Sequence, residues 1–267
     1  MSTERDDPTE VSDEPWALLQ ELLPKPQWEP GGRGRPPVDR RRGIHGLFYL
    51  TKTGCQGRML PQDLGHWSTV SGYCKRWRLA GVWSDLLKAL RHKERIRPGR
   101  QPDPSAARMD SQRMQAATQE KEAIGLDGNT QVQGRTRPMV VDTLGLMMAV
   151  GVTAAHVADR HGCKRLVEGY CADGIKRLRN IGVDGGSQAG WRQEWVRGLK
   201  RTHKIERELT DHEGKGFPGV PWRWAVERPF SWWLNDRRHS RDDERLPANS
   251  EALIQISMMH LLLKRLA

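Results

Sequence analysis

Residues 138–153 have the sequence PMVVDTLGLMMAVGVT, and this stretch decides the fold class. Residues 139–142 and 146–153 are apolar runs of strand length. Thr143-Leu144-Gly145 between them predicts a tight turn. The stretch therefore predicts a hairpin of two strands in the middle of the chain, and residues 107–267 cannot be a purely helical bundle.

The elements flanking this hairpin predict a larger sheet covered by helices. Before it, Met109-Asp110 ends a short candidate strand, and Gly125, Gly128 and Gly134 predict a loop. The segments after it are predicted in this order: a helix over 160–178, a strand over 181–184, a helix over 191–199, a weak strand near 205, and helices over 222–234 and 250–266. Strands followed by alternating helices and strands predict an α/β domain with a mixed sheet over 107–267.

The N-terminal part has a different pattern. Residues 1–13 predict a disordered tail, residues 14–93 a small helical domain, and the proline-rich and glycine-rich residues 94–106 a linker. In the third of four predicted helices, Lys75, Arg76 and Arg78 lie off the apolar stripe. This basic face is typical of a helix-turn-helix DNA-binding unit. A plain helical bundle kept soluble by its cations is the open alternative.

The charge of the chain indicates a polyanionic partner. It carries 44 Lys and Arg against 33 Asp and Glu, a formal net charge of +11, so double-stranded DNA is the first candidate. A basic surface without such a role is the alternative. The four cysteines lack the spacing of a zinc site or a disulfide framework. No apolar run approaches the roughly 20 residues that span a bilayer, so we expect a cytoplasmic, nucleoid-associated protein without a membrane partner.

Three acidic residues have positions suited to metal binding. Asp110 and Asp184 end predicted strands, and Glu227 lies on a predicted helix. Three carboxylates meeting at one point would repel one another unless divalent cations held them together. Oxygen-only ligands favour Mg²⁺ or Mn²⁺, and two such ions can assist an in-line phosphoryl displacement. The alternative is ordinary: strand-end Asp residues cap helices, and a helical Glu faces solvent.

A basic set follows Glu227. Arg238, Arg241 and Arg245 lie 11, 14 and 18 positions after it, so all four would share one helix face if the helix continued that far. That face would present guanidinium groups to DNA phosphates. Pro229 argues for caution, because proline inside a helix breaks or kinks it, and a basic surface strip is the alternative.

At these residues the sequence resembles the DDE transposases of bacterial insertion sequences, in the family numbered five. The resemblance covers residues 13–267. The matching segments are Gly34-Arg35-Pro36-Pro37, Thr53-Gly54-Cys55-Gln56, Trp67-Ser68-Thr69-Val70, Gly81-Val82-Trp83, Asp110-Ser111-Gln112, Val141-Asp142-Thr143-Leu144-Gly145, Asp184-Gly185-Gly186, Val226-Glu227-Arg228 and Glu244-Arg245-Leu246-Pro247. Their number and order make the resemblance specific.

The resemblance implies an RNase H-like catalytic domain whose DDE triad is Asp110, Asp184 and Glu227. It also implies an N-terminal domain that binds element ends, cleavage by activated water, attack of the freed 3′-hydroxyl on target DNA, and a homo-oligomer on DNA. The chain departs from the family at several positions, among them Gly57, Gln131, Gln133, Pro138, residues 187–190 and Pro229. A decayed copy that only binds DNA is therefore one alternative, and another RNase H-like nuclease is a second.

Overall fold

Helices and one mixed sheet make up the structure, a computed structural model that describes residues 7–25, 39–116, 122–128, 131–172, 177–182, 195, 197–199, 207–209 and 224–267. The named α-helices are α1 (Asp13–Leu22), α2 (Arg40–Thr53), α3 (Trp67–Leu79), α4 (Val82–Ile96), α5 (Asp159–Ala172), α6 (Trp224–Leu234) and α7 (Pro247–Leu266). The strands are β1 (Ala106–Gln115), β2 (Gly125–Asp127), β3 (Val132–Asp142), β4 (Met147–Val150), β5 (Thr153–Ala154), β6 (Asn180–Gly182) and β7 (Arg207–Leu209). Short 3₁₀ turns cover 57–59, 62–64 and 237–239.

The four N-terminal helices are confirmed. In α2 the Asp39 side chain accepts a hydrogen bond from the Arg41 amide, and Gly54 ends the helix in the left-handed conformation. The predicted apolar stripe of α3 buries Val70, Tyr73 and Trp77. The predicted disordered tail is wrong for the described residues 7–13. Thr9 and Val11 are buried there, because the segment packs beneath α2 and Asp7 contacts His45.

Gly54 gives a direct test of helix termination. Its φ is +70°, and an added Cβ would lie 3.2 Å from the backbone of Arg237. We expect Gly54→Ala to lower the free energy of unfolding by about 1–2 kcal/mol, because an L side chain is strained in this conformation. Gly72→Ala is the control: Gly72 lies inside α3 with no atom within 4 Å of an added Cβ, so it should stabilise slightly. Urea unfolding of both variants measures the difference, and equal effects would contradict this interpretation.

The sheet has the order β2-β3-β1-β6-β7, and β4 and β5 also pair with β3. β1 is antiparallel to β3 and parallel to β6, so the sheet is mixed as predicted. The hairpin is confirmed: Asp142 ends β3, and its side chain accepts hydrogen bonds from the amides of Leu144 and Leu146. With helices on both faces, this is the RNase H-like α/β fold preceded by a helical region, as predicted.

Several boundaries differ from the sequence prediction. β1 continues five residues beyond Asp110, because it pairs with β3 over its whole length. Gly125 and Gly134 lie in paired strands rather than in a loop. Helix α5 ends at Ala172, so Leu178 does not belong to it. For β1, Gly125 and Gly134, strand pairing outweighed local propensity.

Two hydrophobic clusters lie on opposite faces of the sheet. One contains Met109, Val140 and the α5 residues Cys163 and Val167. The other contains Met139 and Val141 together with residues of the N-terminal helices, α6 and α7. The N-terminal helices therefore share one core with the sheet. The division into domains at 14–93 and 107–267 stays a prediction.

Helix α4 joins the N-terminal helices to the hairpin through buried cations. Arg95 forms an ion pair with Asp142, and both side chains are almost fully buried. Arg91 donates to the Met147 carbonyl at 3.1 Å and to the Tyr170 hydroxyl at 2.9 Å. Residues 94–96, predicted as linker, are thus the last turn of α4, because burying these side chains requires the helix to continue over the sheet.

Two buried histidines predict acid sensitivity. Burial lowers the pKa of His239 to about 3 and that of His260 to about 3. Their stabilising effect is complete above the unfolded pKa near 6.5, and is lost as pH falls from there towards the folded value. We expect the free energy of unfolding to fall by up to about 1.4 kcal/mol per pH unit for each histidine within that window.

His260→Phe isolates one of the two contributions. His260 stacks on Phe48 with ring centroids 4.4 Å apart, so phenylalanine keeps the contact but cannot be protonated. The free energy of unfolding, measured with denaturant between pH 7 and pH 5, should depend clearly less on pH in this variant than in the wild type. An unchanged slope would show that acid sensitivity arises elsewhere.

The described cysteines Cys55, Cys74 and Cys163 are free thiols. Burial raises the pKa of Cys74 and of Cys163 to about 12, so neither is a reactive thiolate. None of the helices in the described ranges is both long and apolar enough to cross a bilayer.

Candidate active site

Asp110 lies in the middle of β1, the central strand of the sheet. Its antiparallel partner is Met139, which belongs to the cluster shared with α6 and α7. The neighbouring Met109 points to the opposite face, against α5. Asp110 therefore faces the layer that contains α6. It is half-buried, and its Oδ1 accepts a hydrogen bond from the Ser111 amide at 2.7 Å.

Helix α6 covers the same face of the sheet and contains Glu227. Phe230 and Trp233 anchor it in the cluster with Met139 and Val141, and their rings meet edge to face at 5.2 Å. Of the three predicted triad residues, only Asp110 has a described side chain. Glu227 is described in its helical backbone alone, and Asp184 lies outside the described residues. The structure thus brings Asp110 and the helix of Glu227 to one face, and the triad itself stays a prediction.

Pro229 lies inside α6, so the proline does not end this helix before Leu234. Proline in a helix interior costs about 3 kcal/mol relative to alanine, since it removes an amide donor and crowds the preceding turn. We expect Pro229→Ala to raise the free energy of unfolding by about 1–2 kcal/mol after allowance for lost ring packing and the more flexible unfolded chain. Pro247→Ala is the matched control, because Pro247 begins α7, where proline is favoured. Chemical denaturation of both variants measures this, and a destabilised Pro229→Ala would show that ring packing dominates.

A buried charge network, here called the arginine clamp, consists of Arg135, Arg137 and Asp242. The two arginines lie on β3, on the face that carries Asp110, and all three side chains are at most 1% exposed. Arg135 Nη1 lies 2.8 Å from Asp242 Oδ1, and Arg137 Nη2 lies 3.4 Å from Asp242 Oδ2. Ser250 donates to the same carboxylate at 2.7 Å.

The arginine clamp also holds the backbone of residues 239–245. Arg137 donates to the carbonyls of His239 and Arg241, and Arg135 donates to those of Glu244 and Arg245. The Asp242 amide in turn donates to the Gln115 carbonyl at the end of β1. The clamp therefore fixes this segment over the face of the sheet that contains Asp110.

The predicted arginine face after Glu227 is wrong in its geometry. Helix α6 ends at Leu234, and residues 237–239 form a 3₁₀ turn, so Arg238, Arg241 and Arg245 do not continue its face. Arg238 is paired with Glu244 and donates to the Cys55 carbonyl. Arg241 and Arg245 are exposed on the clamped segment. Their contact with DNA stays a prediction.

The basic residues of α3 have mixed environments. Lys75 and Arg76 are exposed, and Arg78 is half-buried. The Arg76 guanidinium lies 5.0 Å from the centre of the Tyr73 ring. An exposed basic face opposite the buried stripe is compatible with DNA binding, and this role too stays a prediction.

Sequence reasoning missed the arginine clamp. A usable signal was present: Arg135 and Arg137 occupy alternate positions just before the apolar run 139–141, so in an extended strand both point to one face. A buried arginine must be paired, and an acidic partner had to exist elsewhere in the chain. The sequence does not identify Asp242 as that partner, because it lies 107 positions after Arg135.

The described residues contain no group of three His, Cys, Asp or Glu side chains able to hold a metal ion. Two of the three predicted ligands, Asp184 and Glu227, have side chains outside the described set. Asp110 supplies the hard oxygen donor that Mg²⁺ and Mn²⁺ favour.

A mixed sheet with helices on both faces and an acidic residue on its central strand is typical of RNase H-like domains, and comparisons with known proteins specify the family. The family model described as "Transposase DDE domain" matches residues 101–263, so the chain belongs to the DDE transposases. A model of IS4/5-family transposases matches residues 11–87. Domains of this family generally use divalent metal ions, and transposases act on DNA.

The chain is also similar to a curated protein of Burkholderia cepacia, the "Insertion element IS402 uncharacterized 16.2 kDa protein". The two are 35% identical over 136 residues, which cover 49% of this chain and 84% of the relative. The resemblance to insertion-sequence transposases found in the sequence is thereby confirmed.

Proposed function

We propose that this chain cleaves DNA at the ends of an insertion sequence and transfers the freed strand to target DNA, with Asp110, Asp184 and Glu227 as its catalytic residues. The observation that carries the proposal is the placement of Asp110 on the central strand, beneath the helix that contains Glu227. The family match to a DDE domain supports the same reaction class.

The register of the sheet supports the assignment of Asp184. Every paired residue of β6 lies 74 positions after its partner on β1, from Ala106 and Asn180 to Arg108 and Gly182. The same offset applied to Asp110 gives Asp184. Neighbours in register on parallel strands point to the same face, so a continued register would place the two carboxylates side by side.

The three carboxylates would hold one or two Mg²⁺ or Mn²⁺ ions, which when bound lower the pKa of a water and neutralise charge on the phosphate. Asp110 is suited to this role because a long paired strand fixes its backbone. The hydrogen bond from the Ser111 amide to Oδ1 helps to orient this carboxylate.

The DNA-binding residues in this proposal lie on two surfaces. Lys75, Arg76 and Arg78 of α3 would contact the element ends, and Arg238, Arg241 and Arg245 would lie beside the scissile phosphate. Of the latter set, Arg241 and Arg245 are the stronger candidates, since Arg238 is engaged by Glu244. Because two element ends must be joined, we propose a homo-oligomer on DNA and association with the nucleoid.

An assay with labelled element-end DNA, a target duplex and Mg²⁺ tests the proposal. The expected result is metal-dependent nicking at the end followed by a joined product, and EDTA should abolish both. Binding without cleavage would favour a decayed copy that only occupies DNA. Cleavage without joining would indicate another RNase H-like nuclease.

A further inference from the structure

A cavity of about 540 Å³ lies where the C-terminal ends of α4 and α7 meet α6 and the hairpin. Its charged lining consists of Glu94, Arg97, Arg228 and Arg265, and the hairpin residues Leu144 and Leu146 add an apolar side. Neither the proposed reaction nor the predicted DNA-binding residues use this cavity. One carboxylate faces three guanidinium groups there, so the lining has a net positive charge.

Two of these arginines contact the same aromatic ring, and the third contacts the backbone of Arg265. Arg265 lies 4.0 Å from the centre of the Trp232 ring, and Arg228 lies 5.8 Å from the same ring. Arg97 donates to the Arg265 carbonyl at 2.8 Å and contacts Glu94 at 2.9 Å. Such crowding of like charges is unfavourable by itself, and an anion in the cavity would relieve it.

Two further observations agree with a ligand in the cavity. The pKa of Arg265 is lowered, first by burial and then by repulsion from Arg228 and Arg97, while Glu94 opposes the shift. Glu94 is 9% exposed, and within the described part of the chain its Oε2 is buried without a hydrogen-bond partner. A nucleotide unit can satisfy both groups, because its phosphate accepts hydrogen bonds and its base can donate them.

We propose that this cavity binds a backbone phosphate of the DNA strand held at the active site, with Arg97, Arg228 and Arg265 as its ligands. The location on α6 supports DNA over a free anion, since Arg228 directly follows Glu227. The inference rests on the proposed function for the identity of the strand. A phosphate contact of this kind positions DNA without reading its sequence.

The experiment measures DNA binding by the full chain without metal, so it does not depend on catalysis. Arg97→Gln and Arg265→Gln each remove one charge and keep a polar side chain. The affinity for a labelled duplex of about 20 base pairs should fall about three- to tenfold. The plot of the logarithm of the DNA association constant against the logarithm of salt concentration should become less steep by about one. Two duplexes of unrelated sequence should be affected equally, and Arg97→Lys should restore the slope.

Lys88→Gln is the matched control. Lys88 is exposed on α4 nine positions before Arg97, which places it on the opposite side of that helix. Thermal melting of every variant verifies folding. The proposal would be overturned if both Arg97→Gln and Arg265→Gln kept the wild-type salt dependence of DNA binding. It would also be overturned if Lys88→Gln lost as much DNA affinity as they do.

A third measurement separates DNA from a free anion. The melting temperature of the wild type is measured with and without inorganic phosphate at constant ionic strength. If phosphate raises it, and if the arginine variants bind DNA with the same salt dependence as the wild type, the cavity binds a small anion. The DNA assignment would then be wrong. Failure of cleavage in the element-end assay would leave the salt slopes unaffected, so the two proposals can fail independently.

Discussion

Asp110→Asn is expected to abolish cleavage of element-end DNA, with a rate loss of at least about a thousandfold, equivalent to several kcal/mol of transition-state stabilisation. The substitution is nearly isosteric, and the amide oxygen can still accept the hydrogen bond that the Ser111 amide donates to the wild-type carboxylate. The loss should therefore come from the missing negative charge in the metal site rather than from misfolding. Single-turnover cleavage in Mg²⁺ and in Mn²⁺ measures the effect.

DNA binding without metal is the control measurement for Asp110→Asn. Without metal, Asp110→Asn should bind the same duplex as tightly as the wild type or more tightly, because a carboxylate facing phosphate has been removed. Asp63→Asn, which removes an exposed carboxylate from a 3₁₀ turn, should change neither cleavage nor binding. Cleavage by Asp110→Asn within tenfold of the wild type would rule out a catalytic role for this residue.

Asp242→Ala should produce the largest loss of stability, about 3–5 kcal/mol, because it leaves Arg135 and Arg137 as buried cations without their carboxylate. Burial lowers the pKa of Arg137, and Asp242 is the main group opposing that shift. Ser250 also loses its acceptor. Urea unfolding followed by tryptophan fluorescence measures the loss.

Two further variants serve as controls for Asp242→Ala. Asp63→Ala should change stability by less than about 0.5 kcal/mol, as surface substitutions generally do. If Asp242→Ala is too unstable to purify, Asp242→Asn keeps the acceptor for Ser250 and should be less destabilised, while still losing the charge. A loss below about 1 kcal/mol in Asp242→Ala would show that the arginine clamp contributes little to the fold.

Helix-capping and turn residues predicted the ends of the elements beside which they lie. Asp39 and Gly54 bracket α2, Gly81 precedes α4, and the hairpin turn lies where residues 143–145 predicted it. Capping and turn chemistry depend on a few neighbouring residues, so such signals can be recognised without knowledge of the remaining chain. The family resemblance likewise rests on short ordered motifs.

These local signals did not predict contacts between segments that are distant in the sequence. The length of β1 past Asp110 and the positions of the arginines after α6 depend on contacts with distant segments, whereas the end of α6 at Leu234 was predicted. For this reason, the arginine clamp and the shared core of N-terminal helices and sheet were not predicted, and the helical face through Arg245 was wrong.

Sequence patterns alone were sufficient to predict the α/β class, the N-terminal helices, the hairpin and the family to which the chain belongs. The folded structure was needed to show that Asp110 faces the helix carrying Glu227, that Asp242 pairs with two buried arginines, and that α4 is anchored to the hairpin. The physical reason is that a cap or turn is stabilised by adjacent residues, whereas a buried charge or a strand register is stabilised by partners that only the folded chain brings near.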